Sequence, residues 1–153
     1  MRAEELRGRI ASADRWEERP DGWWLVDPAL DVRRVAGVMV ESGARLATLT
    51  ARPIATPAPG QEPLGYLLYY HWDLEGQMLT VGTVVGQSAP SILDLCPAAD
   101  WVEREIHDYF GIRFAGRETL PPLVTREGDS PVFGASPQAD GKANGAEGTG
   151  GAA

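Results

Sequence analysis

The run Tyr66-Leu67-Leu68-Tyr69-Tyr70-His71-Trp72, then Glu75-Gly76, then a second run from Met78 to Val85, constrains this chain more than any other feature. Aromatic and β-branched residues on both sides of a glycine-containing turn predict a β-hairpin. Around it, Trp23-Trp24-Leu25-Val26 reads as a strand entered from the Asp21-Gly22 turn, and Arg45 to Ala51 as another, with a Pro- and Gly-rich loop over 52–65. Asp27-Pro28 predicts a helix start, with Asp27 as cap and Pro28 in the first helical position. Leu30, Val35, Val38 and Met39 form that helix's apolar face, and Gly43 closes it. A short helix over 3–14 is anchored by Leu6 and Ile10. Residues 88–97, bounded by Pro90 and Pro97, hold one helical turn, and a last helix covers 98–110.

This order of elements predicts an α+β, two-layer fold: a mixed β-sheet with a hairpin, packed by helices. The chain divides into an N-terminal helical segment (1–14), a folded domain (15–125) and a Gly/Ala-rich tail (126–153). Twelve of the last twenty residues are Gly or Ala and none is large and apolar, so the tail is expected to be disordered.

Composition removes several function classes. A formal net charge of −8 and a pI near 4.7 repel phosphate backbones, which argues against nucleic acid. The longest apolar runs fall far short of the roughly 20 residues a spanning helix needs. The opening MRAEELRGRI lacks the apolar core of a secretory signal. The expected location is the cytoplasm, at the inner face of the cell membrane through partners and without direct insertion. Cys96 is the one cysteine, and His71 and His107 are the two histidines, far apart in the chain. Such a set supplies no disulfide and no iron–sulfur ligand set. The Gly82-Thr83-Val84-Val85-Gly86 stretch lacks GxGxxG spacing. No catalytic, cofactor-binding or metal-ligating residue is therefore expected.

The densest pattern is Ala98 to Phe114. Val102, Ile106 and Tyr109 recur at helical spacing and Phe110 extends the stripe. Asp100 and Glu103 fit a capping box. Asp100–Arg104 and Arg104–Asp108 are oppositely charged i, i+4 pairs. Gly111 occupies the left-handed stop position, with Ile112 folding back over the last turn. Read locally, this is a capped helix with one buried stripe and a charged, solvated face. On the same reading Trp101 and Cys96 are packing residues, His71 is structural, His107 is a charged surface residue, and Trp23 and Trp24 point to opposite faces of their strand.

Trp101-Val102-Glu103-Arg104-Glu105-Ile106-His107-Asp108-Tyr109-Phe110-Gly111-Ile112-Arg113-Phe114 resembles the signature W-x-E-R-E-V/I-x-D-x-F/Y-G-I/V-x-F of the 30 kDa subunit of NADH–quinone oxidoreductase (respiratory complex I). A similar domain occurs in energy-converting membrane-bound nickel–iron hydrogenases and formate hydrogenlyases. Weaker likeness reaches back through the hairpin to about residue 20. The chain departs from the family at Arg117, where a His or Lys is usual, and at Pro121-Pro122, where an Arg pair is usual.

The resemblance implies an accessory subunit without a redox centre of its own. Such a subunit packs beside the large catalytic subunit and the iron–sulfur subunits of the peripheral arm. It also implies that Trp101, Glu103, Arg104, Glu105, Asp108, Tyr109, Phe110, Gly111 and Phe114 form a recognition surface, for a partner or for the chain's own C-terminal segment. Arg104 is its expected anchor, because a guanidinium grips a carboxylate with two bonds. Two other readings compete: an enzyme using Glu103, Glu105 and His107 as acid–base groups, and a free-standing binding or regulatory module that keeps the fold without the complex.

Overall fold

The computed structural model describes residues 2–117 and 120–133. The hairpin forms as expected from β4 (Tyr66–Leu74) and β5 (Gln77–Val85), paired from Tyr66↔Val85 to Leu74↔Gln77. Glu75 (φ 51) and Gly76 (φ 86) are both left-handed, the geometry a two-residue hairpin turn requires, and Asp73 Oδ1 accepts the Gly76 N–H at 2.8 Å. Strand β3 (Arg45–Pro53) runs antiparallel to β4, with a bulge between Leu46 and Thr48. On the other side, β2 (Gly22–Val26) runs parallel to β5, and β1 (Glu17–Arg19) folds back antiparallel on β2. The sheet order is β1-β2-β5-β4-β3, a mixed sheet as predicted. A second, two-stranded parallel sheet pairs β6 (Ser88–Pro90) with β7 (Arg113–Ala115).

Strand alternation divides the main sheet into two chemically distinct faces. Tyr66, Leu68, Tyr70, Trp72 and Leu74 are all buried, as are Leu79, Val81 and Val85 beside them. This face packs on helices α1 (Ala3–Ile10), α2 (Val32–Glu41) and α3 (Ala99–Phe110), through Leu6, Ile10, Val35, Met39, Ala99 and Ile106 among others. Full burial of one such side chain is worth about 1.5–3 kcal/mol, so this face holds the fold together. The opposite face is half-open and partly polar: Thr50 and Thr80 hydroxyls hold the two ring nitrogens of His71 at 2.8 and 2.9 Å. Trp23 and Trp24 fall on opposite sides, Trp23 against the core and Trp24 edge-on to Tyr69. Cys96 is buried and His71 is structural, as expected.

Two local expectations are corrected. The helix does not open at Asp27-Pro28. Asp27 Oδ1 instead accepts the Ala29 N–H at 2.9 Å and closes a turn, and Asp31 caps α2 by accepting the Arg34 N–H at 3.0 Å. Both aspartates have a suitable local sequence, and the crossover from β2 selects the second. Leu30 consequently lies before the helix. Residues 88–97 begin with β6 before their single turn, in which the Cys96 N–H reaches the Ile92 carbonyl at 2.9 Å.

Candidate partner-recognition site

Helix α3 covers the predicted span, and Gly111 (φ 73) ends it in the left-handed conformation. Ile112 and Phe114 are fully buried beyond it. The capping box does not form: the N-cap is Ala98, with no side-chain cap bond. The reason lies in where Glu103 points. It is 0% exposed, and its carboxylate accepts from Ser91 Oγ (2.7 Å), the Ile92 N–H (2.8 Å) and Arg117 Nη1 (3.2 Å). A buried charge persists only when paired and fully hydrogen-bonded, and this one is. Arg117 also pairs with Asp100, which in turn lies 3.5 Å from Arg104 Nη1.

The far side of α3 is organised by the residues after 120. Asp108 follows Ile106 by two positions, about 200° around the helix, so it faces away from the sheet. It is nevertheless only 6% exposed, because the segment 121–125 lies over it. Asp108 Oδ2 accepts three successive backbone N–H groups, from Leu123 (2.7 Å), Val124 (2.8 Å) and Thr125 (3.2 Å). Such a backbone nest favours an anion. Burial raises the Asp108 pKa, but the Val124, Leu123 and Thr125 donors outweigh it and hold the carboxyl below its ordinary value. Arg104 does not pair with Asp108. Its Nε and Nη2 donate to the carbonyls of Pro121 and Pro122, both at 3.0 Å.

The same segment returns to close the helix C-terminus. The last four carbonyls of an α-helix lack intrahelical partners, and here each finds one. His107 O accepts from Gly111 N (2.8 Å), Asp108 O from Val132 N (3.2 Å) and Tyr109 O from Phe133 N (2.6 Å). Phe110 O accepts from Tyr66 Oη (3.2 Å). Phe133 lies against Tyr109 and Phe110, with ring centroids 5.6 and 5.4 Å apart. The tail expected from 126 onward thus begins, among the described residues, as a strap on α3. The disorder expected for 134–153 lies outside the described residues.

The nine signature residues therefore separate. Glu103, Arg104, Asp108, Tyr109, Phe110, Gly111 and Phe114 make contacts within the chain. Trp101 corrects its expected packing role: it is 66% exposed, since its position on α3 faces away from the sheet. His107 is half-buried rather than a free surface charge; its Nδ1 lies 2.9 Å from the Ile112 carbonyl, which can only accept, so that nitrogen carries the proton. Glu103, Glu105 and His107 do not converge on one cavity, because Glu103 is sealed inside and Glu105 lies about 200° around the helix from it.

A groove of about 920 Å³ beside the strap is lined by Glu62, His107, Arg113, Arg126, Glu127 and Asp129 among others, charges of both signs without a common focus. No cluster of three or more His, Cys, Asp or Glu side chains able to hold a metal occurs among the described residues. Sequence reasoning missed Ser91 as a partner of Glu103 and Arg117 as its counterion; it named the chain's own C-terminal segment as one of two alternative partners of the α3 charges, but not the course of the strap over α3. Paired prolines, which lack N–H groups but keep carbonyls, and a Val132-Phe133 pair ahead of an apolar-poor tail were the available signals.

Known proteins resemble this chain in sequence and in fold. The NADH-quinone oxidoreductase C subunit of Rhodobacter capsulatus is 39% identical over 57 residues, 37% of this chain and 29% of that protein. The Sinorhizobium medicae protein of the same name is 35% identical over 72 residues, 44% of this chain and 36% of its own length. The C/D subunit of the Methylococcus capsulatus enzyme is 57% identical over 35 residues, 23% of this chain and 6% of that protein. The matched stretches thus cover well under two thirds of these relatives.

Among solved structures, the trypsin-resistant fragment (1-134) of Nqo5 superimposes with a TM-score of 0.54 at 25% identity, covering 78% of this chain and 95% of that one. A chain of the membrane-bound sulfane sulfur reductase, an archaeal respiratory membrane complex, gives a TM-score of 0.58 at 27% identity, covering 85% and 79%. Residues 31–135, running from α2 through the strap and including the whole ridge of α3, match the family described as respiratory-chain NADH dehydrogenase, 30 Kd subunit, and the chain belongs to that family.

Proposed function

We propose that this chain is a non-catalytic accessory and assembly subunit of the peripheral arm of a complex I-like NADH:quinone oxidoreductase, or of a related membrane-bound hydrogenase-type complex. It sits beside the large catalytic subunit and the iron–sulfur subunits, at the cytoplasmic face, held there by those partners. The observation that carries this reading is the family match across residues 31–135. The use of the signature's charges supports it: Glu103 and Asp108 hold structure in place rather than facing a shared cavity. No helix among the described residues is long and apolar enough to cross a membrane, which fits attachment through partners.

A second version, a sulfur-reducing or hydrogenase-type complex in place of an NADH-oxidising one, is favoured by the overlap with the sulfane sulfur reductase chain. An N-terminal affinity tag on the chain in its own host, followed by mild purification and mass spectrometry, tests both. Stoichiometric recovery of a large subunit and iron–sulfur subunits is expected. An NADH-binding flavin subunit among them selects the first version, and a large subunit with paired nickel-ligating cysteines selects a hydrogenase. Elution as a single polypeptide overturns the proposal in favour of a free-standing module.

A further inference from the structure

The charged residues of the α3 motif are not equally occupied. Glu103, Arg104 and Asp108 are each engaged within the chain. Glu105 makes no ion pair or side-chain hydrogen bond among the described residues, although it is half-buried. One turn before it stands Trp101, 66% exposed, and one turn after it the half-buried Tyr109, whose ring touches Phe133, itself 59% exposed. Positions i, i+4 and i+8 share one flank of a helix and span about 12 Å along its axis. Among the described residues the strap lies over the neighbouring flank at Arg104 and Asp108 and reaches this one only at Tyr109, through Phe133.

The chemistry that fits such a flank is built elsewhere in the molecule. Arg19 lies 4.4 Å over the ring of Trp24 while its Nη2 holds Glu17 Oε2 at 2.9 Å, an arginine shared by an indole face and a carboxylate. At Trp101 and Glu105 the indole and the carboxylate are present one turn apart. Arg104 on α3 and Arg117 beyond it are already committed, to the strap carbonyls and to Glu103 and Asp100. A planar guanidinium stacks on an aromatic ring and bonds a carboxylate at once, which a lysine ammonium does less well.

We infer that the Trp101–Glu105–Tyr109 flank, extended by Phe133, docks a neighbouring protein subunit, and that this subunit inserts an arginine between Trp101 and Glu105. The apolar rings at both ends would shield that pair from water, the arrangement typical of interface anchors. This inference rests on the proposed membership of a complex and adds which surface is used and what it receives.

The test uses the tagged chain in its own host. A photo-crosslinking phenylalanine analogue replaces Trp101, and the crosslinked peptide is sequenced. A crosslink to another subunit of the complex, within a few residues of an arginine, is expected. In parallel, Glu105→Arg should lower the partner retained after a salt wash about tenfold or more, because it sets two cations face to face. Glu105→Gln should lower it less, and neither change should move the melting temperature of the isolated chain. Replacing the identified arginine by glutamate in the partner should restore retention with Glu105→Arg. Intact retention by Glu105→Arg, with no crosslink from position 101, overturns this surface while leaving complex membership standing. Elution of the unmodified chain alone overturns both.

Discussion

At the scale of single residues, the two glutamates of one helix have opposite fates. Glu103 and Glu105 are two positions apart and identical in chemistry, yet one is sealed in the interior and the other is half-buried with no ion pair or side-chain hydrogen bond among the described residues. Glu103→Ala would leave the Ile92 N–H and the Ser91 hydroxyl without their acceptor and Arg117 with Asp100 as its remaining carboxylate, and each buried group left unsatisfied costs about 1–3 kcal/mol. Urea denaturation should show that loss, whereas Glu105→Ala should change stability by less than about 0.5 kcal/mol. Nothing local in the sequence distinguishes these two residues. A charged residue in an amphipathic pattern reads as solvated, and only Ser91, Ile92 and Arg117, brought in from other parts of the chain, make burial of Glu103 tolerable. Trp101 misleads in the other direction: its type argues for the core, but its phase on the helix excludes it.

Among elements, α3 and its strap form a unit whose grip depends on one carboxylate. Because the Asp108 pKa is depressed in the folded chain, its ionised form stabilises the strap at every pH above the ordinary carboxyl value, and that contribution disappears as pH falls through the folded value. Hydrogen exchange should find the amides of Leu123, Val124 and Thr125 protected at neutral pH and released as pH falls below the ordinary carboxyl range and through the depressed folded value, while the β4–β5 amides stay protected. Asp108→Asn should weaken strap protection at neutral pH and remove the step.

Gly111→Ala forces a Cβ onto a left-handed residue and to 3.0 Å from Pro131 Cγ. It should cost about 1–2 kcal/mol and loosen the strap at its second attachment, read by the same exchange experiment. The span and stop of α3, the hairpin and its turn are legible in the sequence because long periodic runs and paired turn residues encode them locally. Strands β1, β6 and β7 have three residues each, too few for a period to register. The start of α2 is ambiguous in the sequence because Asp27 and Asp31 offer equivalent caps.

For the whole molecule, the strap turns a two-layer fold into a partial third layer, in which α3 lies between the sheet and an extended segment. Five tryptophans report on this arrangement. Trp16 and Trp72 are buried and Trp101 is open, so Trp101→Phe should remove the red-shifted, easily quenched part of the fluorescence of the isolated chain. The sheet's strand order carries a separate consequence. β3, β4 and β5 are neighbours along the chain and in space, so they can zip in succession. β2 must wait for a strand some fifty residues further on before its parallel rungs, Trp23↔Leu79 to Val26↔Gly82, can form. Closing so wide a loop is slow compared with closing a hairpin. During synthesis β2 therefore leaves the ribosome before the strand it pairs with, and it docks on the β3–β4–β5 meander only after β5 has emerged.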